Sequence, residues 1–435
     1  MAIEGLRRRI DRQTTGGLGN ITRAFAHRNY LIYVSGNSIS LIGWWLARVA
    51  VGWLTWTLTH SGAWLGLISL ADFLPVLFLA PFAGVLADRR DRVRTIRLTQ
   101  WIGCVQASLL AILVVSDSMT IEILFALVLT LGIASGVAQP SRLALIPTLV
   151  DRESLASALA INSVMFNLAR FIGPALAGIV IAEIGIAAAF AANAVSYIAF
   201  QISLLNLRGL PPQPAVGRQN VLRASVEAFS YAYRHSGIGP MLLLFLVTTI
   251  GTRGFIELFP GFADRVFGRG PQGLAMLTST VGLGAICGAS WMVLRSGITG
   301  LANVVLVCTL IMSLAILALT ATDAFYLALP CVFVAGAMMT ITGTGAQTLI
   351  QAAVDARMSG RVMALYGMIF RAGPAVGAVL MGTLSEYLGL RLALALGAIV
   401  SGSFWLATRF RHKSMAAGLE RAPKGATEGC PFRPA

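Results

Sequence analysis

Six charged side chains stand inside stretches that otherwise read as hydrocarbon: Arg48, Asp72, Arg170, Arg253, Glu257 and Arg371. A charge at mid-bilayer costs roughly 2.5–3.5 kcal/mol on insertion scales, so each needs a partner or a water-filled cavity. The residue types point to two tasks. Desolvation raises the pKa of a carboxylate in an apolar wall and a neighbouring guanidinium lowers it, so its proton can come and go with occupancy of the site. Guanidinium groups bind carboxylates and phosphates through forked hydrogen bonds. Asp72 and Glu257 are the only acids deep in apolar segments, against four arginines. That surplus leans toward an anionic or catechol-like ligand over a lipophilic cation. The competing reading is that these are static pairs that only orient helices.

Spacing gives part of the geometry. His60 marks a turn, with Arg48 twelve residues before it and Asp72 twelve after. At helical rise both lie about 18 Å from that turn, so they are expected to face each other across a hairpin. Arg253 and Glu257, four apart, are expected to share one helix face within pairing reach. A repeat register near 209 would set Glu257 opposite Arg48. Arg170 lies in "NLARFIGPALAG" and Arg371 in "MIFRAGPAVGA", each just before a Gly-Pro pair. Neither has an acid three or four residues away, so helix carbonyls loosened by proline, another helix, water or a ligand must serve them. Trp44 and Trp45 can stack on a flat ligand, whereas Trp53 and Trp56 read as part of an interfacial belt.

The elements that hold these residues follow from composition. The chain has 435 residues, 57% hydrophobic and 12% charged, about half the charge of a soluble domain. Apolar runs of transmembrane length recur along it, and the basic, polar first twenty residues do not read as a signal peptide. The expectation is an all-α polytopic membrane protein with twelve spans, near 31–58, 63–87, 98–116, 120–142, 158–181, 186–206, 239–260, 273–295, 301–320, 324–346, 361–385 and 390–408. Residues 1–206 form a first six-helix half, 207–238 a linker, 239–408 a second half and 409–435 a tail without structure. Of 33 Lys and Arg, 26 fall on one side of this topology, three on the other and four inside spans. The positive-inside bias puts both termini in the cytoplasm. It also accounts for the net charge of +15 without nucleic acid as a partner.

The halves resemble each other. Gly173–Pro174 and Gly373–Pro374 are 200 residues apart, and "LVDRESLASALA" before the first matches "AVDARMSGRVMA" before the second. Six-span repeats related by an axis along the membrane normal are a transporter architecture.

The stretch "GVLADRRDRVRTIR", Gly84 to Arg97, has the order Gly-x-Leu-Ala-Asp-Arg-x-x-Arg. As charge alone it is a positive-inside loop. Its order resembles the signature loop of the major facilitator superfamily, with Asp91 where that family has a glycine. "AQPSRLALIPTLVDRESLASALAINSVMFNLARFIGPALAG" and the segment from Trp53 resemble the branch of enterobactin exporters and related efflux proteins. The resemblance covers about residues 30–408. It implies a cytoplasmic gate at Gly84, Asp88, Arg89 and Arg92. It also implies an antiporter-like bend at Gly173, Pro174 and Gly178, with Gly373 and Pro374 as repeat mates, packed against the eighth span. The loop "MVLRSGITGL" lacks the acid, so only the first half should keep the gate.

Other chemistries find no residues here. No Gly-x-x-x-x-Gly-Lys-Ser/Thr loop offers an ATP site. The histidines form no cluster, and the five cysteines have no paired spacing. The expectation is a monomeric multi-pass transporter of the bacterial inner membrane, not an enzyme. It would bind a small molecule within the bilayer, need no cofactor or metal, and run on the proton gradient as an exporter. A lipid flippase of the same fold and a non-transporting scaffold are the rivals.

Overall fold

The computed structural model describes residues 23–89, 91–208, 221–295, 297–355, 358–410 and 412–420. Their side chains are described except at 77, 80–89, 221–226 and 412–414. A bilayer leaves no water for backbone N–H and C=O groups, so apolar segments close their hydrogen bonds within helices. The described residues are accordingly helical, with no strand among them.

The helices are α1 (Arg28–Thr59), α2 (Gly62–Arg89), α3 (Arg92–Val115), α4 (Ile121–Leu145), α5 (Leu155–Glu183) and α6 (Ile186–Leu205). They continue as α7 (Val221–Arg234), α8 (Ile238–Gly251), α9 (Gly270–Leu294), α10 (Leu301–Ala321), α11 (Phe325–Ala353), α12 (Ser359–Phe410) and α13 (His412–Leu419). Ten helical stretches among the described residues are long and apolar enough to cross a membrane, one of them, Ile238–Ile256, running from α8 into the irregular turn after it. One of the ten, α12, is interrupted at Gly389, whose φ of 80° only glycine adopts readily. A further apolar stretch, Gly62–Val76, opens α2.

Two compact units form. One holds residues 1–51 and 78–217, the other 52–77 and 218–435. The tip of the first hairpin therefore packs with the second half of the chain. Its turn falls where the sequence places it, at His60, which takes a φ of 48° between α1 and α2. Helices in lipid associate through small residues that let backbones approach. In the first unit Gly103 meets the Tyr197 ring, and a Cβ there would come to 2.7 Å. In the second, a Cβ at Gly288 would stand 2.5 Å from the Ala337 carbonyl, and Gly251 packs as closely on Gly397.

Two expectations change. The seventh span is not one helix: α8 stops at Gly251, Arg253–Leu258 is a 3-10 helix, and Phe262–Val266 is a π turn. The tail expected to lack structure supplies α13, whose Met415 and Leu419 are buried among Met241, Leu301 and Leu349. Glu420 then accepts the backbone N–H groups of Gly300 and Ala302 at the start of α10, at 2.8 and 3.0 Å. Residues 421–435 lie outside the described residues, as does the Pro-rich start of the linker.

Candidate functional site

In the first unit, two of the expected residues converge. The Arg48 guanidinium lies over the Trp44 ring at 5.5 Å, one turn back on α1. Arg170 of α5 lies over Trp45 at 5.7 Å. The two indoles meet edge to face at 5.0 Å, and Phe166 packs edge-on against Trp45 at 6.0 Å. The Trp45 indole N–H is buried without a hydrogen-bond partner. The approach of α5 is made possible by Gly173, where a Cβ would overlap that of Trp45 and stand 3.0 Å from the Ile42 carbonyl. Pro174 lies inside α5 and donates no N–H, which leaves the carbonyl of Arg170 without its helical partner. Gly178 is buried on the same helix. Within its unit Gly173 thus packs on α1, a contact the family resemblance did not supply.

The second unit repeats this plan with different chemistry. A Cβ at Gly373 would overlap the Thr249 side chain on α8. Trp45 and Thr249 are 204 positions apart, as are Asp151 and Asp355, each of which anchors the loop before its bend helix. The register at this end is therefore 204, not 209. It aligns Arg48 with Thr252, one residue before Arg253, and not with Glu257.

Arg253 is 4% exposed. Its guanidinium lies 4.9 Å from the Phe245 ring and 5.3 Å from the Phe370 ring, which stack on each other, and donates to the Met339 carbonyl at 2.6 Å. Tyr366 adds a donor to the Gly343 carbonyl one turn along α11, at 2.8 Å, and stacks on Phe245. Arg371 follows Phe370 but is exposed, with no side-chain partner among the described residues. Pro374 lies inside α12 as Pro174 does in α5.

Arg253 and Glu257 do not share an α-helical face, because the 3-10 geometry between them eclipses residues three apart instead of four. Neither is without a partner. Arg48 and Asp72 fall in different units, and neither of them is without a partner. Both Asp72 and Glu257 are half-buried.

The tryptophans expected at an interfacial belt are inside: Trp53 and Trp56 are buried, and the Trp56 indole donates to Asp264 Oδ2 at 2.8 Å. Of the gate residues, the side chains of Gly84, Asp88 and Arg89 lie outside the described residues. Arg92 donates to the Ala144 carbonyl at 3.1 Å. Asp91, the departure from the family loop, caps α3 by accepting the N–H groups of Val93 and Arg94. That explains the aspartate, since a free N-terminus favours a carboxylate cap. Sequence reasoning missed this cap, although an Asp just before an apolar run is its signal.

The model of the transmembrane secretion effector family matches residues 24–420. The chain belongs to that family, within the major facilitator superfamily. It is 29% identical over 388 residues to an enterobactin exporter of Citrobacter koseri, covering 88% of this chain and 90% of that one. A staphyloferrin A transporter of Staphylococcus aureus is 27% identical over 255 residues, 58% of this chain. The match spans 64% of that relative's length. Among solved structures, a bacterial homologue of the human lysosomal transporter Spinster superposes with a TM-score of 0.71 at 16% identity, over 93% of this chain and 99% of that one. A POT family transporter gives 0.71 at 11% identity, over 89% and 96%. The fold is that of major facilitator transporters, and the family member described here is a multi-pass membrane transporter, not an enzyme.

Proposed function

We propose that this transporter is a proton-coupled exporter of a small anionic, oxygen-rich aromatic molecule of the siderophore kind, or of an amphipathic drug like one. The observation that carries the reading is the seating of Arg48 and Arg170 on adjacent tryptophan faces in the middle of apolar helices. A flat anion can displace or extend such a stack while its oxygens take the guanidinium donors and the idle Trp45 N–H. The relatives named for enterobactin and staphyloferrin A support a siderophore-like substrate.

In this reading twelve spans, counted by dividing α12 at Gly389 and giving α2 its own span, rock as two halves around the central arginines. The halves are residues 1–206 and 239–408, joined by 207–238. Both termini face the cytoplasm of a bacterial inner membrane, and the chain acts as a monomer. Asp72 and Glu257 carry the protons, and Gly84, Asp88, Arg89 and Arg92 close the cytoplasmic side.

The test uses purified protein in liposomes with a trapped pH dye. An anionic catecholate is added, then a lipophilic cation, to wild type and to Asp72→Asn. Proton movement with the catecholate alone, lost in Asp72→Asn, is the expected result. Movement with the cation alone would make this a cation antiporter and sink the anion reading. Silence with both would favour a lipid flippase or a scaffold.

A further inference from the structure

The tip of the first hairpin is fastened to the second half of the chain by a cluster that the central site does not use. Ser61 Oγ donates to Glu386 Oε1 at 2.7 Å, and the Ala63 N–H donates to the same oxygen at 3.2 Å. Ser61 itself takes the Trp64 N–H at 3.3 Å. The first turn of α2 is therefore capped partly by Ser61 and partly by a carboxylate 323 positions later. Beside it, the Arg265 guanidinium lies over the Trp56 ring at 5.2 Å and donates to the His60 carbonyl at 3.4 Å. Asp264 holds the other end of the same indole.

Small residues bring the backbones together. Gly62 and Gly382 pack in direct contact, and a Cβ at Gly66 would stand 2.6 Å from the Ala378 carbonyl. Burial pushes the Glu386 carboxyl up, but the Ser61 hydroxyl, the N–H groups of Ala63 and Gly62, and the Arg265 charge outweigh it and hold the group below the usual range. It stays an anion, the form the α2 terminus prefers.

We infer that Glu386 is a positioning residue of the transport cycle, a latch that holds the first turn of α2 against α12 at the outer face until the hairpin parts from it. Packing alone would not need the carboxylate. Parting the hairpin exposes a backbone N–H and a charged cap at once, so the latch adds a step-like resistance that glycine contacts do not. Asp264 and Arg265 clamp the Trp56–His60 end, and Glu386 clamps the α2 end. The inference rests on the transporter reading and on the proposed orientation.

The experiment is a disulfide trap that needs no substrate. A Cβ at Gly62 falls against the Ser385 side chain. Gly62→Cys with Ser385→Cys, with the native cysteines replaced by alanine, therefore meets the Cβ separation a disulfide requires. Oxidation in inner-membrane vesicles should cross-link this pair. Adding Glu386→Ala should cut the rate about tenfold, the factor that 1.4 kcal/mol of lost hydrogen bonding carries. Glu386→Gln, which keeps one acceptor oxygen, should fall between. Equal rates in all three, with folded protein by size exclusion, would overturn the latch. Labelling of the single Gly62→Cys variant by an impermeant maleimide reports the side. Reaction only from the cytoplasmic face would overturn the orientation and the outer role together, whatever the cross-linking rates.

Discussion

Arg253 and Arg371 are neighbours in one unit and look alike in the sequence, yet they meet opposite surroundings. Arg253 is buried against two stacked rings and spends a donor on the Met339 carbonyl, tying the broken seventh span to α11. Arg371 is exposed and keeps its donors. Replacing Arg253 with Met should remove a charged hydrogen bond worth about 1.5–3 kcal/mol and leave a buried carbonyl short of its partner. Arg371→Met, which removes no hydrogen bond to a described residue, should lower stability less than Arg253→Met. Thermal unfolding in detergent checks both, and equal losses would show that enclosure is not what separates them. The sequence placed both arginines in apolar segments and no further. Which one is a clamp depends on Phe245 and Phe370 arriving from two different helices, and no local pattern encodes that meeting. Arg48 and Arg170 were equally visible as intramembrane charges, but their seats on Trp44 and Trp45 depend on Gly173 admitting α5 to α1.

Helix existence was legible because a bilayer demands closed backbone hydrogen bonding, and long apolar runs satisfy it only as helices. The break after Gly251 was not, since Arg253–Leu258 is apolar enough to continue a helix and its 3-10 geometry serves tertiary contacts. The joint below that break shows what an element boundary can do. His235 lies between α7 and α8, and its Nδ1 accepts the N–H groups of Gly237 and Ile238 at 3.1 and 3.2 Å. That nitrogen must be unprotonated to accept them. Burial pushes the imidazole pKa below its ordinary value, and Asp355 opposes this only in part. The neutral form is the one the fold prefers. The cap is therefore complete above the ordinary histidine pKa, about 6.5. It weakens as pH falls below that value through the depressed one in the folded protein. Amide exchange protection at Gly237 and Ile238 should drop over that window in wild type. In His235→Ala it should be low at every pH, and a flat wild-type profile would show that the imidazole does not cap α8.

The six intramembrane charges are divided between the two repeats of the chain. Each bend helix is admitted by a glycine, Gly173 or Gly373, to the first helix of its own half, at a register of 204 on that side. The aligned positions carry different residues: Trp45 answers Thr249, and Arg48 answers Thr252, one residue before the buried Arg253. The repeat was visible in the Gly-Pro pairs. The division of labour was not, because it rests on which aromatic residue fills each equivalent gap. Asymmetry of this kind suits a carrier whose first unit offers donors to a ligand while its second anchors the break in the seventh span. Deep inside the spans lie four arginines and two acids, so a bound anion relieves repulsion that a bound cation would worsen. Arg170→Gln should then raise KM for an anionic catecholate about tenfold, the loss of one charge-assisted hydrogen bond of about 1.4 kcal/mol. Its kcat should change less, because Arg170 would act in binding and the acids in coupling. Initial rates of proton movement in liposomes measure both constants. An unchanged KM would place the anion away from the Trp45 stack and return Arg170 to the simpler task of serving the carbonyl that Pro174 leaves without a donor.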